Sequence, residues 1–269
     1  MAKSKKGKRF LSLIVPAYKQ EKTIEHDLKT IRSILEIFDQ PYEVIVVVDG
    51  KIDKTFVNAQ KVRSAKISVL GYPNNKGKGY AVRYGMAHAK GDIIAFLDAG
   101  MDLNPARLQD LLKIMEEKKA DIVVGSKVHP LSNITYPWQR RLLSWGYRAF
   151  VKTFFGLSVG DTQVGMKIFR RKVLEDVLPR LLVKRYAFDI EMLAVANYLG
   201  YKKIYEGPVT LKFTNWSSIT SSNFLQAIFH MMWDTAAVFY RLRLLQYYNN
   251  GNKRKWHYDP ELDFNVNVG

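Results

Sequence analysis

Cysteine is absent from all 269 residues. That excludes a disulfide framework, a thiolate metal site and a cysteine nucleophile, and it fits a reducing compartment. Long apolar runs are missing as well: no stretch of 18 clean apolar residues exists, so no membrane-spanning helix is expected. No secretory signal is expected either, because the basic start (Lys3, Lys5, Lys6, Lys8, Arg9) leads into an apolar run that Pro16 soon interrupts. Acidic residues are scarce, 25 against 42 Lys and Arg, which leaves a net charge of +17. Such a balance implies an anionic partner: nucleic acid, an anionic membrane surface or a phosphorylated substrate. No internal repeat is evident.

What is present is a foldable chain, 47% apolar and rich in aromatics, long enough for one α/β domain with an appendage. Strand patterns fall at residues 10–15, 42–48, 66–70, 93–97 and 121–125. Helical patterns fall at 23–38, 80–89 and 106–118, the first with Ile24, Leu28, Ile31, Leu35 and Phe38 on one face. This alternation predicts a mostly parallel sheet covered by helices on both faces.

The run Ile93 to Leu97 is the pivot. Five apolar residues suit a buried strand, and they stop abruptly at Asp98, followed by two small residues, Met101 and then Asp102. Ligands of α/β sheets sit outside the carboxyl ends of the strands. Asp98 is thereby placed at a crevice, where a carboxylate can hold a hard cation and, through it, phosphate oxygens. The plainer alternative is an aspartate that opens a turn before a helix at Pro105. Two other strand ends carry useful groups, Pro16 with Tyr18 and Asp49, and in an open sheet they converge on the same edge. The loop from Lys76 to Gly79 offers cationic and backbone N–H contacts to phosphate, or else is an ordinary solvated turn.

In this order, Val15-Pro16-Ala17-Tyr18, Val48-Asp49-Gly50, Asn75-Lys76-Gly77-Lys78-Gly79, Phe96-Leu97-Asp98-Ala99-Gly100 and Asp161-Thr162-Gln163 resemble the family 2 glycosyltransferases of the GT-A fold. Among those the chain is most similar to the dolichyl-phosphate or polyprenyl-phosphate hexosyl synthases. The similarity covers roughly residues 10–220. It implies an α/β, nucleotide-diphospho-sugar transferase fold with a basic N-terminus over 1–9 and a catalytic domain over 10–220. An amphipathic segment over 221–250 and a polar tail over 251–269, expected to be mobile, complete the chain.

The resemblance also implies roles. Pro16, Tyr18, Asp49, Lys78, Asp98, Ala99 and Lys212 would bind the nucleotide sugar, with Asp49 similar to a base-contacting aspartate. Lys19 and Gln20 replace the usual Asn and Glu of that first motif. The metal motif Asp-x-Asp keeps only its first member, because Gly100 stands in the second place. Asp98 and Asp102 would hold Mg²⁺ or Mn²⁺, unless Asp102 is instead the N-cap of the Pro105 helix. Asp161 and Gln163 would join Asp98 as catalytic residues at the sugar, though Asp161 can also be read as holding a turn. Lys127 and Arg141 would meet the acceptor phosphate. In Phe188-Asp189-Ile190-Glu191 the two acids point in different directions on a helix, one toward the site and the other supporting it.

Residues 137–155 place Trp138, Leu142, Trp145, Ala149 and Phe150 at helical spacing among Arg140, Arg141, Arg148 and Lys152. This pattern suits a helix lying in a membrane interface, or a core helix with a basic outer side. Residues 224–248 are similarly aromatic, and either lie on the bilayer or pack against a membrane-anchoring subunit or a second copy of the chain.

Together these features predict an inverting transferase, peripheral on the cytoplasmic face of a membrane. It would move glucose from UDP-glucose or mannose from GDP-mannose to a polyprenyl or dolichyl phosphate. A lipid phosphate is already anionic and needs no general base, and no clear base motif lies between Asp161 and Glu191. The alternatives are a glycan or other acceptor, or a nucleotide-sugar binder without catalysis, to which Gly100, Lys19 and Gln20 point. Nucleic acid is not expected as a partner, because charge alone suggests it and no reading motif is present.

Overall fold

Short strands buried on both faces make the centre of the protein. The computed structural model describes residues 9–132, 138–183, 187–211, 224–250 and 256–267. Its main sheet comprises β1 (Leu11–Ala17), β2 (Tyr42–Asp49), β3 (Ile67–Tyr72), β4 (Ile93–Leu97), β5 (Ile122–Ser126), β6 (Met166–Arg170) and β7 (Ile204–Pro208). They lie in the order β3-β2-β1-β4-β6-β5-β7. All neighbours are parallel except those of β6, which runs antiparallel to β4 and to β5. The mostly parallel sheet read from the sequence is therefore what forms. Neither β6 nor β7 was among the expected strands.

Side chains alternate between two cores. Leu11, Leu13 and Val15 of β1 join the core that holds Ile24, Leu28, Ile31 and Leu35 of α1 (Ile24–Glu36), while Ile14 joins the other. The first face also carries α2 (Thr55–Gln60) and α4 (Leu108–Glu117). The opposite face carries α3 (Lys78–Ala87), α5 (Trp138–Phe155), α6 (Arg171–Val177), α7 (Phe188–Tyr198) and α8 (Phe224–Phe239), which continues as a π-helical segment, Tyr240–Leu244. Burial on both faces explains the near-continuous Val and Ile of β2.

The chain passes from β1 outward to β2 and β3, then returns to the other side of β1 as β4. That reversal opens a crevice beyond the carboxyl ends of β1 and β4, where the strand order changes direction.

The C-terminal part also packs on the protein's own core: Val238, Leu242, Tyr247 and Tyr248 are buried with α7. The stretch expected to be a mobile polar tail carries two short strands. Trp256–Asp259 (β8) and Phe264–Asn267 (β9) pair as an antiparallel hairpin, with Leu262 and Val266 buried. Two buried side chains suffice to dock it, a signal too sparse for hydrophobic periodicity to reveal. On α5, Val151 and Phe155 face the core and Phe150 packs against it, while Ala149 is exposed. Among the described residues no helix is long and apolar enough to cross a membrane.

Candidate active site

At the mouth of the crevice the ends of β1 and β4 are tied together, the Ala99 N–H donating to the Pro16 carbonyl at 3.4 Å. The Asp98 N–H donates to the carbonyl of Gly165, just before β6, at 3.0 Å. A Cβ on Gly165 would stand 1.9 Å from Asp98 Oδ2, so only glycine leaves room for the carboxylate here. Pro16, Asp98, Ala99 and Gly165 thus meet at the mouth of the crevice.

Asp98 Oδ2 accepts from Lys78 Nζ at 2.8 Å, and Oδ1 is buried without a hydrogen-bond partner among the described residues. Lys78 opens α3. Burial works against its ammonium, but Asp189 and Asp98 outweigh that and its pKa is raised. Behind it lies a second, fully enclosed pair: Lys167 Nζ donates to Asp189 Oδ1 and to the Val164 carbonyl, each at 2.6 Å. The Lys167 side chain is 0% exposed, and its pKa is lowered by burial despite Asp189. Strand register explains the meeting, since Lys167 of β6 is paired with Phe96 of β4 and its ammonium stands 5.0 Å from that ring. Lys78 stands 5.8 Å from the same ring. The outcome is a row of alternating charge, Lys167, Asp189, Lys78, Asp98, leading from the core to the crevice.

Lys167 belongs to the segment from Asp161 that resembles the family, but the sequence assigns it no role of its own. Its signal was a lone lysine inside the apolar run from Val164 to Phe169. The division of labour on α7 came out as expected, because Asp189 faces this row while Glu191 supports the structure. Glu191 accepts from the Leu182 and Val183 N–H groups and from the Tyr248 hydroxyl, and burial raises its pKa.

The position of Gly100 explains the incomplete Asp-x-Asp motif. Its φ is +95°, a conformation that an aspartate adopts only with strain. The side-chain amide of Gln20 lies next to it instead. Asp102 is not the cap of the following turn: Asn104 is, its Oδ1 accepting from the Ala106 N–H at 3.0 Å ahead of the 3-10 turn Pro105–Arg107. Asp102 stays exposed at the rim, and partial burial, then the charges of Asp98 and Asp27, raise its pKa.

Among the described residues no cluster of three or more His, Asp or Glu is arranged as a ready metal site. The donors fit a different kind of site. One or two carboxylates, with the remaining positions left to phosphate oxygens and water, is how Mg²⁺ and its relatives are held beside nucleotides. The Oδ1 of Asp98 is an acceptor that a cation would satisfy.

Asp49 corrects one expectation. It is only 3% exposed, and its carboxylate accepts from the Tyr72 hydroxyl, Asn75 Nδ2, and the Lys76 and Gly77 N–H groups. It therefore closes its own loop rather than facing a base, and two backbone donors expected to meet phosphate are bound to it. The reason is reach: a strand-end carboxylate takes the nearest N–H groups, and the 75–77 loop folds back over it.

Tyr18 is exposed, and the positive φ of Lys19 (+53°) brings that lysine's ammonium to 5.3 Å from the Tyr18 ring. Beside them a cleft of about 500 Å³ runs along residues 19–23 to Ile52 and Asp53, at the ends of β1 and β2. Farther along, Asp161 Oδ2 accepts from the Lys127 N–H at 3.2 Å, and Glu206 Oε1 accepts from the Gly160 and Asp161 N–H groups. Asp161 and Lys127 are thus neighbours, and Gln163 is half-buried on the same segment. Lys212 lies outside the described residues, as does the side chain of Arg141.

Residues 12–178 match the family model described as Glycosyl transferase family 2. The chain is similar to the dolichyl-phosphate beta-glucosyltransferase of Dictyostelium discoideum, 30% identical over 230 residues that cover 79% of this chain and 68% of that protein. It is 30% identical over 251 residues to the Homo sapiens protein of the same name, covering 87% and 76% respectively. With the Drosophila melanogaster protein it shares 37% identity over 206 residues, covering 70% of this chain and 63% of that one. Among solved structures, glucosyl-3-phosphoglycerate synthase from Mycobacterium tuberculosis in complex with UDP superposes with a TM-score of 0.63 at 19% identity, covering 93% of this chain and 84% of that one. The same enzyme with Mn²⁺, UDP and phosphoglyceric acid gives 0.59 at 21% identity, covering 97% and 87%. At such identities the likeness speaks for the fold, which is GT-A.

Proposed function

The chain belongs to glycosyl transferase family 2, and we propose that it moves glucose from UDP-glucose to dolichyl phosphate at a membrane surface, with inversion at the anomeric carbon. The observation that carries this reading is the Asp98 carboxylate at the β1/β4 switch point, paired with Lys78 through one oxygen while the other has no partner among the described residues. The charge of a nucleoside diphosphate would be met there by Lys78 and by a cation held on Asp98. The names of the relatives support glucose as the sugar and dolichyl phosphate as its acceptor.

Donor binding begins with the cleft beside Tyr18, which suits a nucleoside. Its diphosphate would extend to Asp98, Asp102 and Lys78. A bound Mg²⁺ or Mn²⁺ supplies neutralisation of the departing diphosphate, and Asp98 and Asp102 are the residues that would hold it. Lys78 adds a fixed positive charge on the same leaving group. In the transfer, an oxygen of the lipid phosphate attacks C1 of glucose from the face opposite UDP. The new C1–O bond forms as the bond to UDP breaks, and the electron pair leaves on the diphosphate. The acceptor oxygen already carries negative charge, so no base is required. Asp161 and Gln163 would line the sugar, and Lys127, held beside Asp161, would meet the acceptor phosphate.

The exposed face of α8 and the π-helical turn supports contact with the bilayer. Met232, Trp233, Tyr240, Leu244 and Leu245 are all exposed, Trp233 at 68%, with exposed Arg243 among them. Aromatic and aliphatic side chains interspersed with arginine suit the interface of an anionic membrane.

The test is stereochemical. UDP-glucose is linked through the α anomer, so a single in-line displacement gives β-glucosyl phosphate. Proton NMR of the lipid product should show the β anomer; an α product would overturn inversion, and absence of lipid product would overturn the acceptor.

A further inference from the structure

We propose that Glu261, in the turn of the C-terminal hairpin, is a positioning residue of the donor site, acting through Lys76 on the loop that closes over Asp49. This rests on the reading of the crevice as a nucleotide-sugar site. The hairpin lies well beyond residues 12–178, the part of the chain that the family model covers.

The turn is itself held firmly. Asp259 Oδ1 accepts from the Glu261 and Leu262 N–H groups at 2.9 and 3.2 Å, and Leu262 is buried. Arg83 stacks near the Phe264 ring and Arg180 near the Trp256 ring, which fixes both strands against α3 and the 3-10 turn Leu178–Arg180. From this base the Glu261 carboxylate reaches Lys76 Nζ and the Tyr80 hydroxyl. Lys76 is also flanked by two rings, its ammonium 4.6 Å from that of Tyr80 and 5.4 Å from that of Tyr72.

Lys76 is where the hairpin meets the site. Its N–H donates to Asp49 at 2.7 Å, the next N–H, from Gly77, does the same at 3.0 Å, and the residue after that is Lys78 on Asp98. Fixing the Lys76 side chain limits the ways this loop can open, and with it the start of α3. Removing the Glu261 charge frees Lys76, loosens the two amides on Asp49, and lets Lys78 drift from the diphosphate position. Ordering of this kind is a cost that a preformed loop avoids at the moment of binding.

The experiment compares the full-length wild type with Glu261→Gln, Lys76→Met and the double variant. UDP with Mn²⁺ serves as the binding probe by calorimetry, and amide hydrogen exchange is followed across residues 74–79. Faster exchange at Lys76 and Gly77 in Glu261→Gln is expected, with UDP affinity about three- to tenfold weaker. Because Glu261 acts through Lys76, it should have no further effect in the Lys76→Met background. Unchanged exchange would overturn the proposal, as would independent, multiplying losses in the double variant. A lowered melting temperature with unchanged exchange and affinity would assign Glu261 to stability alone and likewise overturn it. If the wild type binds no UDP, the donor-site reading fails by that result, while the exchange measurement still reports whether Glu261 holds the loop.

Discussion

Lys78 Nζ lies 2.8 Å from Asp98 Oδ2, so the carboxylate at the end of β4 is already paired with a cation from within the chain. A divalent ion arriving alone must compete with that ammonium, whereas one arriving with a diphosphate gives Lys78 a new partner. Lys78→Met should therefore bind Mn²⁺ alone more tightly than the wild type, while its affinity for UDP falls about tenfold, a loss of ~1.4 kcal/mol. Calorimetric titration with each ligand separately reads both signs. A parallel weakening of both would mean that Lys78 supports the crevice without competing for Asp98.

Gly165 is predicted to be intolerant of a single methyl group. With a Cβ 1.9 Å from Asp98 Oδ2, Gly165→Ala must turn the carboxylate away or push β6 outward. Displacement of this size costs about a hundredfold in catalysis, and overpacking destabilises by about 1–3 kcal/mol. Steady-state kinetics and urea melts on the same preparation separate the two; wild-type kcat/KM would contradict the geometry.

The buried pair should behave asymmetrically. Lys167→Met leaves Asp189 charged and enclosed, at a cost of about 3–5 kcal/mol. The double variant Lys167→Met, Asp189→Leu should recover most of that stability, because an apolar pair needs no desolvated charge. It should not recover transfer, since Lys78 has lost the negative charge behind it. Denaturant melts alongside kinetics test this, and full recovery of both would reduce the pair to packing.

Asp102 supplies a pH signature. Its raised pKa means that the folded state disfavours the ionised form relative to the unfolded chain. The resulting penalty is absent below pH 3.8, where both states are protonated, and is complete once pH has risen through the folded pKa. Asp102→Asn should consequently melt above the wild type at pH 7, with the difference closing below pH 4, while its Mn²⁺ binding is weakened. A carboxylate kept at a cost to stability points to use. A lower melting temperature at pH 7 would contradict this account of its surroundings.

Much of this arrangement was legible in the sequence because it is local. The strand ending at Asp98, the face of α1 and the approach of Pro16 to Ala99 all follow from short apolar runs and their stops. What escaped depends on residues far apart in the chain. Asp49 looks the same in sequence whether it faces a ligand or its own loop, and only the return of Asn75 to Gly77 decides. Lys167 is a single lysine in an apolar run until β6 is seen antiparallel to β4, with Asp189 arriving from α7. The hairpin around Glu261 buries so little that its pattern resembles a polar tail.

The most direct measurement is transfer of radiolabel into the lipid phase from UDP-glucose, with GDP-mannose in a parallel reaction, using dolichyl phosphate as acceptor. Each reaction is run with Mn²⁺ or with chelator, on wild type and on Asp98→Asn. The account predicts lipid-soluble label from UDP-glucose only, abolished by chelator and reduced at least a hundredfold in Asp98→Asn. Label from GDP-mannose instead, or transfer that persists with chelator and in Asp98→Asn, would contradict it.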